Sequence, residues 1–269
     1  MKKISTGLVM LGLLTAALAA HADTFAYATI DYGEFGTLDL SSGAYTNSFS
    51  LPNTLAGLGV ENGQLYGALL NGDSLYAINP TTKTYTTTAI AGIDFYDFGS
   101  TLSSLYAING SGELYSVNPQ NDTVKAIGNV GLSGFGSDYN NLSVNSSTLY
   151  LVNQNGSTNV STLYSVNLTT AALTTIGTLT NQQYTSLLTT GGTFYAVSQN
   201  INTYNLGTHT ETAGQSITNT SGDGAYGLAP DPIPAVPLPP SVVLLLSAVP
   251  LLIFAVRRRP RGDMGVQAV

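Results

Sequence analysis

Short runs of alternating apolar and polar residues fill most of the chain, and polar turn residues separate them. A Leu-Tyr or Phe-Tyr pair opens many of these runs, as in Leu105–Ile108 and in residues 114–117, with a Gly-Ser-Gly turn at 110–112 between them. Alternation with a period of two, bounded by Gly, Asn and Pro, is typical of β-strands joined by tight turns. The pattern therefore predicts a succession of short strands.

The runs recur with a period of about 40 residues. An Asn or Asp returns at one frame position, and a Tyr returns at another: Asp39, Asn79, Asn118, Asn167 and Asn205; Tyr27, Tyr66, Tyr106, Tyr150 and Tyr195. Each unit reads as four strands, because a further short run (55–60, 95–99, 139–144, 184–189) precedes the Tyr in the later units. Five units of four strands predict an all-β, five-bladed β-propeller over residues 23–231.

The two ends of the repeat region are complementary. The first unit lacks its own opening strand, and residues 225–229 resemble the opening strand of the second unit at 55–59. A C-terminal strand that pairs with the first unit would remove exposed sheet edges. We therefore expect the ring to be closed by this strand.

Both termini have the features of targeting segments. Residues 1–22 carry Lys2 and Lys3, an apolar run and an Ala-His-Ala site, as expected of a signal peptide. Residues 232–240 form a proline-rich spacer, and the apolar residues 241–256 predict a single transmembrane helix. Arg257, Arg258 and Arg259 follow as a stop-transfer cluster, which predicts that residues 257–269 are cytoplasmic. An ordinary single-pass anchor also accounts for this segment.

The C-terminal order of proline motif, short apolar helix and arginine cluster resembles the PEP-CTERM sorting domain of Gram-negative bacteria. Val236, Pro237, Leu238 and Pro239 are most similar to its VPLPA-type variant, although Leu238 replaces the usual Glu and Pro240 the usual Ala. The resemblance implies recognition by an exosortase, a membrane-embedded cysteine peptidase that cleaves near the motif. It also implies a link to exopolysaccharide and biofilm production. The expected location is the inner membrane first, and then the cell surface or the extracellular medium.

Composition and charge narrow the range of functions. The chain has no cysteine, so the exported domain must be stable without disulfides. Between the two targeting segments, Lys83 and Lys125 are the only Lys or Arg residues, against fourteen of the fifteen acidic residues. Binding to nucleic acid or anionic lipid by charge is therefore not expected of this domain.

The sequence contains few residues suited to catalysis. His21 belongs to the signal peptide, and His209 is predicted to lie in a rim turn. A nucleophile needs a positioned base, and transition-metal sites need several His or Cys ligands. We therefore expect no enzymatic activity and no cofactor. The alternative is a cation-dependent propeller hydrolase or lyase that acts on sugars.

One set of polar residues recurs in frame, twelve residues before the repeated Tyr. It comprises Thr54, Asp94, Asp138 and Gln183, with Asp223 at the closing strand. These residues would enter the innermost strands together and form a polar ring at one mouth of a central channel, suited to Ca²⁺ or to sugar hydroxyls. Ordinary solvated loop residues are the simpler interpretation.

The aromatic residues have two interpretations. The repeated tyrosines are expected to pack between neighbouring sheets, although stacked tyrosines also bind sugar rings. Phe95, Tyr139 and Tyr184 are candidate ligand contacts on the loops at the channel end.

The expected role is binding or scaffolding at the cell surface, with a glycan or exopolysaccharide as the candidate partner. A structural coat without a specific ligand is a third possibility.

Overall fold

The computed structural model describes most of the repeat region. It covers residues 25–30, 33–132, 139–144, 146–155, 158, 160–179, 186–218, 220 and 224–230. The predicted signal peptide, the sorting motif from Val236 to Pro239, the apolar segment 241–256 and the arginines 257–259 all lie outside these ranges. Within the described ranges, no helix has the length and apolar character needed to span a membrane.

Three sheets have four antiparallel strands each. The first contains β20 (Gly227–Pro230), β1 (Phe25–Ile30), β2 (Glu34–Asp39) and β3 (Tyr45–Ser50). The second contains β4 (Leu55–Glu61), β5 (Gln64–Leu69), β6 (Ser74–Asn79) and β7 (Thr84–Ala89). The third contains β8 (Asp97–Ser100), β9 (Leu105–Ile108), β10 (Glu113–Asn118) and β11 (Thr123–Asn129).

The fourth and fifth repeats share one eight-stranded sheet. Its first half contains β12 (Tyr139–Val144), β13 (Tyr150–Asn155), β14 (Val160–Val166) and β15 (Leu173–Leu179). Its second half contains β16 (Ser186–Thr190), β17 (Thr193–Val197), β18 (Ile201–Asn205) and β19 (Thr210–Thr212). A short parallel pairing of Ser143 and Val144 with Leu187 and Leu188 joins the halves. Each half keeps the strand order predicted for a single repeat.

The last described strand pairs with the first. β20 lies antiparallel to β1, with Tyr27 opposite Ala229 and Thr29 opposite Gly227. The predicted pairing between the two ends of the repeat region is therefore present. A second pair of hydrogen bonds between the two ends was not predicted. Thr218 donates its N–H to Gly43 O (2.9 Å), and its carbonyl oxygen accepts the N–H of Tyr45 (3.2 Å). The segment after β19 thus bonds to the first sheet as well.

The first strand of each repeat is the innermost strand of its sheet unit. These strands contact one another in the cyclic order β20, β4, β8, β12, β16 and back to β20. A Cβ on Gly57 would meet Phe98 O, and Val60 N donates to Ser100 Oγ (3.2 Å), so β4 and β8 run in the same direction. Equivalent ends of these two strands therefore lie on the same side.

The core lies between neighbouring sheet units. Tyr66 packs in a buried cluster with Phe98 and Leu105 of the third sheet. Tyr150 meets the Phe194 ring edge-to-face, with 5.2 Å between ring centroids. For Tyr66 and Tyr150 these contacts confirm the prediction that the repeated tyrosines pack between repeats, because each ring fills the space between two facing sheet units.

The repeated Asn or Asp builds the turn between the third and fourth strands of each repeat. Its side-chain oxygen accepts the backbone N–H two residues later, at 2.8 to 3.1 Å: Asp39 with Ser41, Asn79 with Thr81, Asn118 with Gln120, Asn167 with Thr169 and Asn205 with Gly207. The residue four positions after each has a left-handed backbone: Gly43, Lys83, Asp122, Ala171 and His209. This Asx turn explains why the position recurs.

Candidate functional site

Two of the predicted channel-mouth residues fall within the described ranges. Thr54 directly precedes β4, is half-buried, and accepts Leu70 N at its carbonyl (3.2 Å). Asp94 is exposed and lies shortly before β8. Both stand at the starting ends of adjacent innermost strands. Asp138, Gln183 and Asp223 lie outside the described residues.

No metal cluster accompanies these two residues in the described part of the chain. Its ranges contain no group of three or more His, Asp or Glu side chains suited to hold a metal ion. Calcium binding at the predicted mouth therefore stays a prediction that involves residues outside those ranges.

The strand that follows Asp94 begins later than predicted. Phe95 does not open β8; its N–H and carbonyl bond to Gly72 O and Asn71 N, each at 2.7 Å. Its side chain is fully buried and meets Phe98 edge-to-face, 6.0 Å between centroids. The interpretation of Phe95 as an exposed ligand contact is therefore wrong, because packing against the second sheet removes the ring from solvent. The side chains of Tyr139 and Tyr184 lie outside the description.

Asp97 is the acidic residue that the sequence reasoning overlooked. Only 2% of its surface is exposed. Its Oδ1 accepts Phe98 N (2.7 Å), and its Oδ2 accepts the N–H of Leu142 on β12. Burial raises the pKa of the Asp97 carboxyl well above its ordinary value, although the two backbone hydrogen bonds oppose this shift.

The position of Asp97 has an equivalent in every repeat. In each repeat, the equivalent residue lies opposite the residue two positions after the repeated Tyr. All five equivalent residues are buried: Gly57, Asp97, Asn141, Ser186 and Gly227. The signal was present in the sequence, since four of them lie nine residues before that Tyr. An offset of twelve residues selects the loop in front of the strand instead.

Two of these five equivalent positions hold glycine, and the other three hold polar residues. A Cβ on Gly57 would lie 2.2 Å from Phe98 O, and a Cβ on Gly227 would lie 2.9 Å from Leu58 N. The neighbouring backbone therefore leaves no room for a side chain at these two positions. The third, fourth and fifth repeats instead place a carboxyl, an amide and a hydroxyl here, on three consecutive innermost strands.

The geometry assigns Asp97 a linking role. Each of its two oxygens accepts one backbone N–H, one within β8 and one from the next repeat. A carboxyl used in this way joins two repeats through a buried hydrogen bond.

His209 lies in the rim turn, as predicted. It is exposed, has a φ of 56°, and donates its N–H to Asn205 O (2.8 Å). Its backbone conformation is the one that every repeat uses at this turn position.

Comparison with known proteins identifies similar folds but no protein family. No protein-family model matches the chain, and no curated protein matches it. A chain from a nidogen/laminin complex is similar in structure, with a TM-score of 0.52 at 9% identity, over 76% of this chain and 97% of that chain. The chain has a β-propeller-like repeat fold.

Two further structures have weaker similarity to this propeller-like chain. Glutaminyl cyclase from Myxococcus xanthus has a TM-score of 0.48 at 16% identity, over 63% of this chain and 79% of that one. Regucalcin, a calcium-binding protein from Agrobacterium tumefaciens, has a TM-score of 0.45 at 15% identity, over 72% and 70%. At such identities a structural likeness concerns the fold, and it carries no function over to this chain.

Proposed function

We propose that this chain is an exported, non-catalytic binding or scaffolding protein. In this proposal a closed five-bladed β-propeller is displayed at the cell surface or in the extracellular matrix by a PEP-CTERM-like tail. The expected processing partner is an exosortase-type peptidase, and the expected environment is exopolysaccharide or biofilm.

One observation carries the proposal: the strand that completes the first sheet is also the last described strand. β20 ends at Pro230, and only residues 231–235 separate it from Val236 of the sorting motif. Cleavage near the motif would therefore release or transfer the sheet domain without removing any of its described strands.

The five-blade count has separate support. Five sequence repeats, five four-strand units and the cyclic contacts of β20, β4, β8, β12 and β16 agree with a closed ring. Deletion of residues 225–230 should expose the edge of β1 and cause aggregation or a large loss of stability. Deletion of residues 232–235, which removes four residues outside every described strand, is the control. Equal stability of the two deletions would contradict closure by β20.

A non-catalytic role agrees with how three of the described ionisable groups are used. Asp39 receives N–H and O–H bonds within its own turn, Asp97 links two repeats, and His209 occupies a strained turn position. Each of these groups maintains the fold.

Mass spectrometry of the mature C-terminus, in the organism that makes the protein, tests the sorting proposal. We expect a C-terminus close to Val236–Pro239 and loss of Arg257 to Val269. Replacing Pro237 and Pro239 with Ala should block this processing, whereas replacing Pro232 and Pro234 in the spacer should leave it unchanged. An intact tail on the mature wild-type protein would contradict the proposal.

A further inference from the structure

A shallow groove of about 480 Å³ lies on the fifth repeat. Threonines line it on three adjacent strands: Thr193 on β17, Thr203 on β18 and Thr212 on β19. Thr203 pairs with both Tyr195 and Thr212, and Thr193 lies two residues before Tyr195. The alternation of side chains along a strand therefore places all three threonines on one face of the sheet.

The strands that form the groove floor carry a packed aromatic pair, and both of its residues contribute to the lining. Phe194 and Tyr204 are cross-strand partners there, both are buried, and their rings meet edge-to-face with 6.4 Å between centroids. The threonines are thus presented on a supported surface.

One end of the groove is bordered by the β16–β17 and β18–β19 turns, each of which contributes a glycine to the lining. A Cβ on Gly192 would meet no heavy atom within 4 Å, and a Cβ on Gly207 would meet only Asn205 Oδ1, at 3.4 Å. Gly207 does not have a left-handed backbone, so a side chain at this position is sterically possible. Because Gly207 has no side chain, this end of the groove is accessible.

The polar groups of the groove both donate and accept hydrogen bonds. A threonine hydroxyl does both. Asn205 Oδ1 is occupied by the N–H groups of Gly207 and Thr208 (2.9 and 3.0 Å), which orients the amide and leaves its Nδ2 hydrogens as donors. A ligand that combines donors and acceptors in its hydroxyl groups matches this set.

Charge excludes two other ligand classes. No charged side chain is among the described residues that line the groove. Glu211 pairs with Tyr204 and so lies on the opposite face of the sheet, where its carboxylate accepts Asn202 Nδ2 (2.6 Å). A Ca²⁺ site normally needs carboxylates, and an anionic ligand needs cations. The two lysines of the described ranges lie in the second and third repeats.

A peptide strand is also a poor fit. Peptides that extend a sheet use the unpaired backbone groups of its edge. Three of the strands of this sheet line the groove: β17 and β18 pair with neighbours on both sides, and β19, which contributes Thr212 alone, is the edge strand. Over β17 and β18, recognition therefore uses the side chains.

We infer that the groove of Thr193, Thr203, Thr212 and Asn205 binds an uncharged saccharide. Its volume falls within the range of roughly 300–1,000 Å³ that is usual for small-molecule sites. This inference rests on the proposed binding role and gives it a site and a ligand class.

Affinity electrophoresis of the full-length protein, in a mild detergent, tests the inference. The gels contain a β-glucan, a galactan or a mannan as neutral probes, and alginate as the acidic probe. At least one neutral polysaccharide should retard the protein, and alginate should not. Equal retardation by alginate would overturn the assignment to an uncharged ligand.

Two kinds of variant locate the binding. Replacing Thr203 and Thr212 together with Val keeps the branched shape and removes two hydroxyls, so the dissociation constant should rise about tenfold. Gly207→Leu should weaken binding by obstruction, without any change to the floor. The matched control replaces Thr86 and Thr88 with Val on the exposed strand β7, and it should bind as the wild type does. Thermal melts confirm that each variant is folded.

The remaining outcomes separate the two proposals. If both groove variants still bind a neutral polysaccharide as the wild type does, the groove is not the binding site. The proposed binding role would then belong to another part of the protein. No binding to any neutral probe would overturn the inference, whereas the mass-spectrometric test of sorting would stand independently.

Discussion

The rim turns and the innermost strands of this protein follow different rules. All five rim turns use an Asn or Asp side chain that accepts a nearby N–H, followed by a left-handed residue. The five equivalent positions of the innermost strands instead hold two glycines and three different polar residues. A rim turn satisfies its own backbone, so one pattern suits every repeat. An innermost strand must fit a neighbour, and each neighbour differs.

The largest effect is expected where two innermost strands approach most closely. Gly57→Ala would place a Cβ 2.2 Å from Phe98 O, and the two backbones would have to separate. We expect the free energy of unfolding to fall by about 3 kcal/mol, measured by urea denaturation. Gly110→Ala is the control, because its Cβ would meet only Tyr96 Cδ2, at 3.8 Å. If Gly57→Ala and Gly110→Ala lower the free energy of unfolding by similar amounts, the close approach of β4 and β8 does not limit side-chain size at position 57.

The second prediction compares two aspartates with opposite pKa shifts. Burial raises the pKa of Asp97, so the folded state binds this proton more tightly than the unfolded state does. The stability contributed by Asp97 should therefore fall as pH rises from its ordinary pKa through the raised value, by at most about 1.4 kcal/mol per pH unit. Asp97→Asn should remove this slope in unfolding experiments across pH.

Asp39 at the rim should behave in the opposite way. A hydrogen bond from the Ser41 hydroxyl is the main cause that lowers the pKa of Asp39. Its contribution is present above the ordinary pKa and is lost as pH falls through the lowered value. Because Asp39 is only half-buried and solvent screens its charge, the change in Asp39→Asn should be small. Slopes of the same sign for both residues would contradict the comparison.

A third, smaller effect is expected at a single rim turn. Asn79 Oδ1 accepts the N–H groups of Thr81 and Thr82, both at 3.1 Å. Asn79→Ala should lower the free energy of unfolding by about 1 kcal/mol. Thr81→Ala keeps the backbone donor and should change stability by less than about 0.5 kcal/mol. If the two variants have the same free energy of unfolding, the hydrogen bonds to the Asn79 side chain do not stabilise the turn.

The smallest effect should be a gain in stability. Lys83 is exposed and has a φ of 56°, a conformation that glycine adopts without steric cost. Lys83→Gly should stabilise the protein by about 0.5 kcal/mol in thermal or urea unfolding. Lys125→Gly removes the same charge from the extended strand β11 and should destabilise it by roughly 0.5–1 kcal/mol. Destabilisation by both changes would show that backbone strain at the rim is negligible.

The candidate site was less predictable than the fold. Counting back from the repeated Tyr selected Thr54 and Asp94, which do stand at the starts of innermost strands. The same reasoning passed over Asp97, because an offset of twelve residues from the repeated Tyr selects the loop in front of the strand, whereas Asp97 lies nine residues before Tyr106. Only the approach of β12, whose Leu142 N–H reaches the carboxyl, explains its burial.

The sequence by itself determined the repeat, its four strands, its rim turn and the pairing of residues 227–230 with the first strand. The end pairing follows from the opening strand that the first repeat lacks, and the other features depend on periodicity and on hydrogen bonds between residues close in the chain, which local sequence encodes. Tertiary structure alone decided that Phe95 is buried, that β12 and β16 pair in parallel, and that Asp97 links two repeats. Each of these depends on which backbone lies opposite, because desolvation and close packing are properties of the neighbour as much as of the residue.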